Sequence, residues 1–210
     1  MSGYPIELDL RGKTVLVVGL GNVGRRKAEG LIGTGARVIV VDPDPAGRDP
    51  VEGAEILAEP YSAEHLRGVS LVLAAGPAPV NRQVVADARA AGIWVNTASD
   101  PDLGDFRIPA IWREGLVTVT ASTSGASPAL AAKLRDKAAS AIGPEVVELA
   151  AFLSEIRPQV LERVGDPAVR RRLLADLAEP YWLELWTTVG AEAVLSRFRE
   201  KLEEAAGSPN

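Results

Sequence analysis

The chain has 210 residues, no cysteine, one histidine and a formal charge of −5 from 23 basic and 28 acidic side chains. That composition excludes disulfides, thiolate nucleophiles, thiolate-bound zinc and iron–sulfur centres, and His65 alone cannot build a multi-histidine metal site. The acidic balance argues against nucleic acid as a partner, apolar runs such as 15–21 are too short to span a bilayer, and the N-terminus lacks a signal-peptide pattern, so a globular cytoplasmic protein away from the membrane is expected.

Val15-Leu16-Val17-Val18 is a β-branched run that predicts a strand, followed by a helix over 23–34 that Gly35 closes. Val38-Ile39-Val40-Val41 predicts a second strand, and a Pro/Asp/Gly-rich loop over 42–53 leads to a third at 55–58. A short helix is expected around Glu64-His65-Leu66, a fourth strand at 71–75, a helix at 81–91 and a fifth strand at 93–96. Continuous apolar strands alternating with helices imply a parallel sheet covered on both faces. Beyond it, 106–112 reads as extended, and Leu116-Val117-Thr118-Val119-Thr120 alternates as a half-exposed strand does. From Pro128 onward the pattern is helical, with openings at Pro144, at Asp166-Pro167 and, for the last segment, at Glu179-Pro180. Trp182 and Trp186 share one helix face and are expected in a core or interface, whereas His65 is expected at the surface with no assigned role.

Gly19-Leu20-Gly21-Asn22-Val23-Gly24 lies between the first predicted strand and its helix, and Asp42 ends the next strand 18 residues after Gly24. This strand–turn–helix setting is the one in which the glycine pattern binds a dinucleotide. Gly19 allows the turn, Gly21 lets a pyrophosphate approach the backbone, and Gly24 allows close helix–strand packing. Asn22 and Val23 complete a helix N-terminus that favours phosphate. A carboxylate at Asp42 would accept hydrogen bonds from the adenosine ribose and repel a 2′-phosphate, so NAD is the expected cofactor. A flavodoxin-like glycine turn without ligand is the plain structural alternative. Arg25-Arg26-Lys27 reads either as a solvated face or as cations beside the cofactor.

Asn96-Thr97-Ala98-Ser99-Asp100-Pro101 follows the fifth strand, where open parallel sheets carry their ligand crevice. Asp100 there is a candidate general base or charge stabiliser, and equally the start of a turn. In Ser122-Thr123-Ser124-Gly125-Ala126-Ser127-Pro128, an N-cap at Ser127 and Pro128 in the first turn explain two residues structurally. The remaining hydroxyls also suit a lining for carboxylate or phosphate groups.

Three segments taken together resemble the stand-alone precorrin-2 dehydrogenases and the matching N-terminal half of siroheme synthase. They are Tyr4-Pro5-Ile6 and Leu8-Asp9-Leu10 leading to the glycine motif and Arg26-Lys27; Val95-Asn96 through Asp105-Phe106-Arg107-Ile108-Pro109-Ala110-Ile111; and Ser122-Thr123-x-Gly125-x-Ser127-Pro128 with Leu134-Arg135. The resemblance implies NAD-dependent oxidation of precorrin-2 to sirohydrochlorin, with iron insertion in some relatives, in a homodimer whose active site crosses the dimer. It implies a Rossmann-type parallel sheet over 1–112, a small dimerisation segment over 113–144 and a helical C-terminal domain over 145–210.

No metal site is expected in this chain. A polycarboxylate substrate requires a local cationic surface within an acidic protein. Its candidates are Arg25, Arg26, Arg107, Lys133 and Arg135, with hydroxyls from Ser122, Ser124 and Ser127, while Asp100 is the candidate catalytic group. Three departures from the family pattern stand out: Ser99 where relatives commonly carry the catalytic aspartate, Ser124 within a usual glycine pair, and Arg107 at a usually apolar place. The competing reading is a non-catalytic NAD-sensing regulatory domain of a potassium transport system, which shares the glycine unit and does not need the serine-rich segment. A dehydrogenase of another small substrate is a third.

Overall fold

A computed structural model describes residues 3–98 and 100–207, and the chain divides into two compact units, Met1–Ile108 and Pro109–Asn210. In the first, β1 (Thr14–Val18), β2 (Arg37–Val41), β3 (Ala54–Leu57), β4 (Leu71–Ala74) and β5 (Trp94–Thr97) form one parallel sheet. The strand order is β3-β2-β1-β4-β5. The chain therefore reverses direction across the sheet between β1 and β4, the place where open parallel sheets bind ligands, outside the carboxyl ends of those two strands.

Alternation along the strands decides how the faces are filled. Val15 and Val17 point to one face with Ala28 and Leu31, whereas Leu16 and Val18 point to the other with Val84, Val85 and Ala88. The helices involved are α1 (Asn22–Glu29) and α2 (Ala78–Ala90). Buried apolar side chains of this size each contribute about 1.5–3 kcal/mol relative to exposure, so the doubly covered sheet is the main stabilising feature of this unit.

The helix expected to run to residue 34 ends at Glu29. The N–H groups of Leu31 and Ile32 bond three residues back, to Ala28 and Glu29, and Gly33 and Gly35 adopt left-handed φ values of +81° and +79°. The α2 helix begins three residues before the expected start, because Pro79 falls in its first turn, where a missing N–H costs nothing.

The second unit opens with an antiparallel hairpin of β6 (Ala110–Glu114) and β7 (Val117–Ala121), against which α3 (Pro128–Ala139) packs. The extended segment expected from 106 pairs only from Ala110 onward. Four helices follow: α4 (Pro144–Arg163), α5 (Pro167–Asp176), α6 (Pro180–Val189) and α7 (Ala191–Gly207). The first three each begin with proline, which fits a first turn because its missing N–H would have no helical partner. The final helical region is two helices rather than one. Gly190, at φ +85°, turns the chain between α6 and α7 in a conformation that side-chain-bearing residues rarely adopt. Trp182, Trp186, Val160, Val194, Phe198 and Leu202 are buried in one cluster, with Phe152 edge-on to Phe198.

Candidate dinucleotide and substrate site

Close backbone approaches shape the turn after β1. Gly19 has φ +97°, and a Cβ there would lie 2.8 Å from the Ala75 backbone. A Cβ on Gly24 would lie 1.8 Å from the Gly19 carbonyl oxygen, so the first turn of α1 can sit this close to the strand end only with glycine. Gly21 is different. Its backbone is extended at φ −67°, and the nearest atom to a hypothetical Cβ is Arg48 Nη1 at 3.7 Å. The space over Gly21 is thus a backbone cradle that a side chain would fill, beside a helix N-terminus with no acidic residue in its first turn. Asn22 and Val23 are exposed there. A pyrophosphate fits these features: it needs backbone access and N–H donors, and both are present.

Asp42 at the end of β2 is nearly buried, and its carboxylate already serves the protein. Oδ2 accepts from the Leu20 N–H at 2.6 Å and from Arg48 Nη1 at 3.2 Å, while Oδ1 accepts from the Asp44 N–H at 2.9 Å. The acid therefore pins the glycine turn to β2. Arg48 is a functional candidate that sequence reasoning did not single out; its signal was a basic residue within the Pro/Asp/Gly-rich loop. Arg25 is engaged as well. Its guanidinium binds Glu29 at 2.8 Å and Asp49 at 2.6 Å, and those carboxylates, Glu29 foremost, raise its pKa further. Arg26 is exposed on α1.

Lys27 reaches across to β5. Its ammonium donates to the Asn96 side-chain oxygen, and Asn96, itself buried, donates through Nδ2 to the Phe106 carbonyl at 2.8 Å. Burial, assisted by the charge of Arg26, pushes Lys27 down to about 8. Alongside, the Val95 N–H donates to Asp105 Oδ2, and the Asp105 N–H returns to the Val95 carbonyl. These bonds close the base of the loop over 97–104 that carries Asp100.

Asp100 is exposed and caps a one-turn 3₁₀ segment, Pro101–Leu103, its Oδ1 accepting from the Asp102 N–H at 3.2 Å. The turn role is thus real, and the carboxylate remains open to solvent. Ser99 lies outside the described residues. Arg107 pairs with Asp102 at 3.2 Å, both side chains being exposed.

The serine-rich segment belongs to the second unit. Ser122 Oγ accepts from the Ser124 N–H, and Thr123 Oγ1 accepts from the Ser127 N–H while donating to the Ser127 carbonyl. Ser127 Oγ caps α3 by accepting from the Leu130 N–H. Ser124 sits at φ +53°, a left-handed conformation that costs a non-glycine residue roughly 1–2 kcal/mol. Arg135 binds Asp136 and donates to the Ile111 carbonyl, tying α3 to β6, and Lys133 is exposed. The structure thus gathers Gly19, Gly21, Gly24 and Asp42, and separately links Ser122 to Ser124 and Thr123 to Ser127.

His65, expected at the surface, is largely covered: Nε2 lies 2.7 Å from Glu59, and Nδ1 accepts from the Ser62 N–H within its own turn. Among the described residues no cluster of three or more His, Asp or Glu could hold a metal ion, and no helix is long and apolar enough to cross a membrane.

A parallel sheet of order β3-β2-β1-β4-β5, a glycine turn at its reversal and an acid ending β2 define a Rossmann-type dinucleotide-binding protein. Residues 6–110 match the family model described as "Putative NAD(P)-binding", and the chain belongs to that family. Among curated proteins it is similar to siroheme synthase of Chromobacterium violaceum, 37% identical over 184 residues, which cover 85% of this chain and 39% of that protein. Siroheme synthase of Methylobacillus flagellatus is 34% identical over 210 residues, 98% of this chain and 43% of the relative. The chain thus spans less than half the length of the curated relatives it matches. Among solved structures, "SirC, precorrin-2 dehydrogenase" has the same fold, with a TM-score of 0.72 at 24% identity over 94% of this chain and 100% of that one. The resemblance to the precorrin-2 dehydrogenase and siroheme synthase family, first carried by the three sequence segments, is borne out by these matches.

Proposed function

We propose that the chain is a cytoplasmic, homodimeric precorrin-2 dehydrogenase that oxidises precorrin-2 to sirohydrochlorin with NAD. The observation that carries this reading is the open backbone cradle at Gly21, in a chain whose relatives are siroheme synthases. Gly21 and the first turn of α1 hold the pyrophosphate, with Asn22 and Val23 at its edge, and Gly19, Gly24 and Asp42 keep that turn in shape. When bound, the nicotinamide supplies the hydride acceptor; the substrate gives up one hydride and one proton.

Asp100 is the group assigned to that proton, or to the positive charge developing as it leaves. Its exposure leaves it accessible to a large substrate, and the hydrogen bonds at Val95, Asn96 and Asp105 steady the loop beneath it. Carboxylates of the substrate fall to cations: Arg26 and Lys133, which are exposed, and Arg25, Arg107 and Arg135, each of which must exchange or share an existing carboxylate partner. Ser122, Ser124 and Ser127 supply hydroxyls. We assign 113–144 to dimerisation, because Leu116, Leu130 and Leu134 are exposed apolar side chains there, next to the equally exposed Ile111. Residues 145–210 form the helical domain.

The direct test mixes protein, NAD and precorrin-2 and follows the near-ultraviolet absorbance of NADH. Growth of that band with sirohydrochlorin formation supports the reading. Tight NADH binding with no turnover favours an NAD-sensing domain instead. Asp100→Ala should abolish turnover and leave NADH affinity intact; unchanged turnover removes Asp100 from the mechanism. Iron and cobalt insertion into sirohydrochlorin can be assayed on the same preparation.

A further inference from the structure

The loop between β2 and β3 does something the dinucleotide reading does not require of it. Two adjacent residues lay it across the glycine turn: Arg48 binds Asp42 beside Gly21, and Asp49 binds Arg25 on α1. We propose that Arg48 is a phosphate-binding residue of the cofactor site, its guanidinium resting on Asp42 and able to turn to a dinucleotide phosphate beside Gly21. The proposal rests on the NAD(P)-binding reading and names a residue for it that the glycine motif does not contain.

Three observations converge. First, Arg48 Nη1 is the nearest group to the open side of Gly21, 3.7 Å from the position a Cβ would take, so the guanidinium borders the cradle that admits phosphate. Second, Asp42 is satisfied without it. The Leu20 and Asp44 N–H groups donate at 2.6 and 2.9 Å, and the Arg48 contact, at 3.2 Å, is the longest of the three. Third, the pair is lopsided in exposure: the Asp42 side chain is 7% exposed and that of Arg48 is 38% exposed. The carboxylate is fixed in the fold, and the guanidinium lies over it at the surface.

The electrostatics require such a group. A phosphate arriving at Gly21 approaches a nearly buried carboxylate, and like charges at short range in a poorly solvated place repel. Arg48 lies between the two and offsets that repulsion. Its planar fork of N–H donors matches two phosphate oxygens, and the hydrogen bond to Asp42 involves Nη1 alone. Asp49, the other charge on this part of the loop, is already matched by Arg25. Both the pyrophosphate and a 2′-phosphate on the adenosine ribose offer this chemistry.

The test measures binding to the full chain, wild type against Arg48→Ala and Arg48→Lys, with NADH, NADPH and phosphate-free adenosine as probes and thermal unfolding as a check on folding. Arg48→Ala is expected to weaken dinucleotide binding about tenfold or more, the scale of a lost charge-assisted hydrogen bond, while adenosine affinity is unchanged. Arg48→Lys should recover part of the loss. Equal losses for NADH and NADPH identify the pyrophosphate as the partner; a loss confined to NADPH identifies the 2′-phosphate. The proposal is overturned if both dinucleotides bind Arg48→Ala within about twofold of wild type. It is equally overturned if adenosine weakens by the same factor, since Arg48 would then act only by holding Asp42 and the turn. If the wild type binds neither dinucleotide, the NAD(P)-binding reading itself fails, an outcome separate from any effect at residue 48.

Discussion

The glycine turn that opens α1 and the bundle built from α4 to α7 meet opposite demands. In the turn, backbone atoms approach so closely that single positions tolerate one residue type: a Cβ on Gly24 would fall 1.8 Å from a carbonyl oxygen. In the bundle the requirement is volume. Trp182, Trp186, Phe198 and Leu202 fill a shared interior where size, apolarity and helical spacing dominate, with one polar detail in the bond from the Trp186 indole N–H to Glu148. The turn therefore carries a mark of its purpose, since a ligand-bearing backbone geometry is rare. The bundle shows only that it folds, because the same interior could be filled by many sequences.

Substitutions in the two regions should separate accordingly. The largest loss of stability is expected from Trp182→Ala, which removes a fully buried indole and should lower the stability of the second unit by about 3–5 kcal/mol in urea unfolding. NADH affinity, measured below that transition, should not change. A parallel loss of cofactor affinity would show that bundle and turn are coupled and break the contrast. Gly24→Ala should cost about 3 kcal/mol in the first unit, at the upper end of overpacking penalties, because the obstructing atom is backbone and cannot rotate away. Here cofactor binding should fall together with stability.

What the sequence made legible follows the same division. The continuous apolar run from Val15 to Val18, the Gly19–Gly24 spacing and the acid at Asp42 are local patterns whose physical reasons are local too. The proline starts of α3 to α6 were readable for the same cause. Arg48 and Lys27 were not, because their meaning comes from partners. Arg48 matters through where its loop folds back, and Lys27 through Asn96, which is 69 residues away. The break at Gly190 escaped because glycine in a helical pattern marks a sharp turn only when its φ is positive, which composition does not reveal. The early end of α1 escaped because Gly30, at φ −66°, leads into tighter three-residue turns with no local signal of its own. The roles of Asp100 and of the serines were open in the sequence for a further reason: capping and ligand binding use the same oxygen atoms.

Smaller effects refine the turn itself. Asp42→Ala leaves the N–H of buried Leu20 without its acceptor, an expected cost of about 1–3 kcal/mol in thermal or urea unfolding. A neutral result would mean that the turn keeps its shape without the acid.

Lys27 offers a pH test. Its pKa falls from 10.5 to about 8 on folding, so between those values the unfolded chain holds the proton and the folded chain does not. Stability of the first unit from this group therefore rises as pH increases through that window, and below about 8 the buried charge opposes folding. Lys27→Met should flatten that segment of the stability–pH curve. An identical slope in the variant would assign the shift to another group.

The finest distinction lies between two glycines three residues apart. Gly21→Ala meets no obstruction: its φ of −67° suits any residue, and only Arg48, at 3.7 Å, approaches the new methyl. Stability should change by no more than about 1 kcal/mol, the scale of replacing a glycine N-cap with alanine. Dinucleotide affinity should nevertheless fall at least about tenfold, because the methyl occupies the space through which a phosphate reaches the backbone. Gly24→Ala and Gly21→Ala thus divide the motif into a residue required for the fold and a residue required for the ligand. If Gly21→Ala bound NADH normally, the cradle would be a feature of packing alone, and the turn would lose the distinction that sets it apart from the bundle.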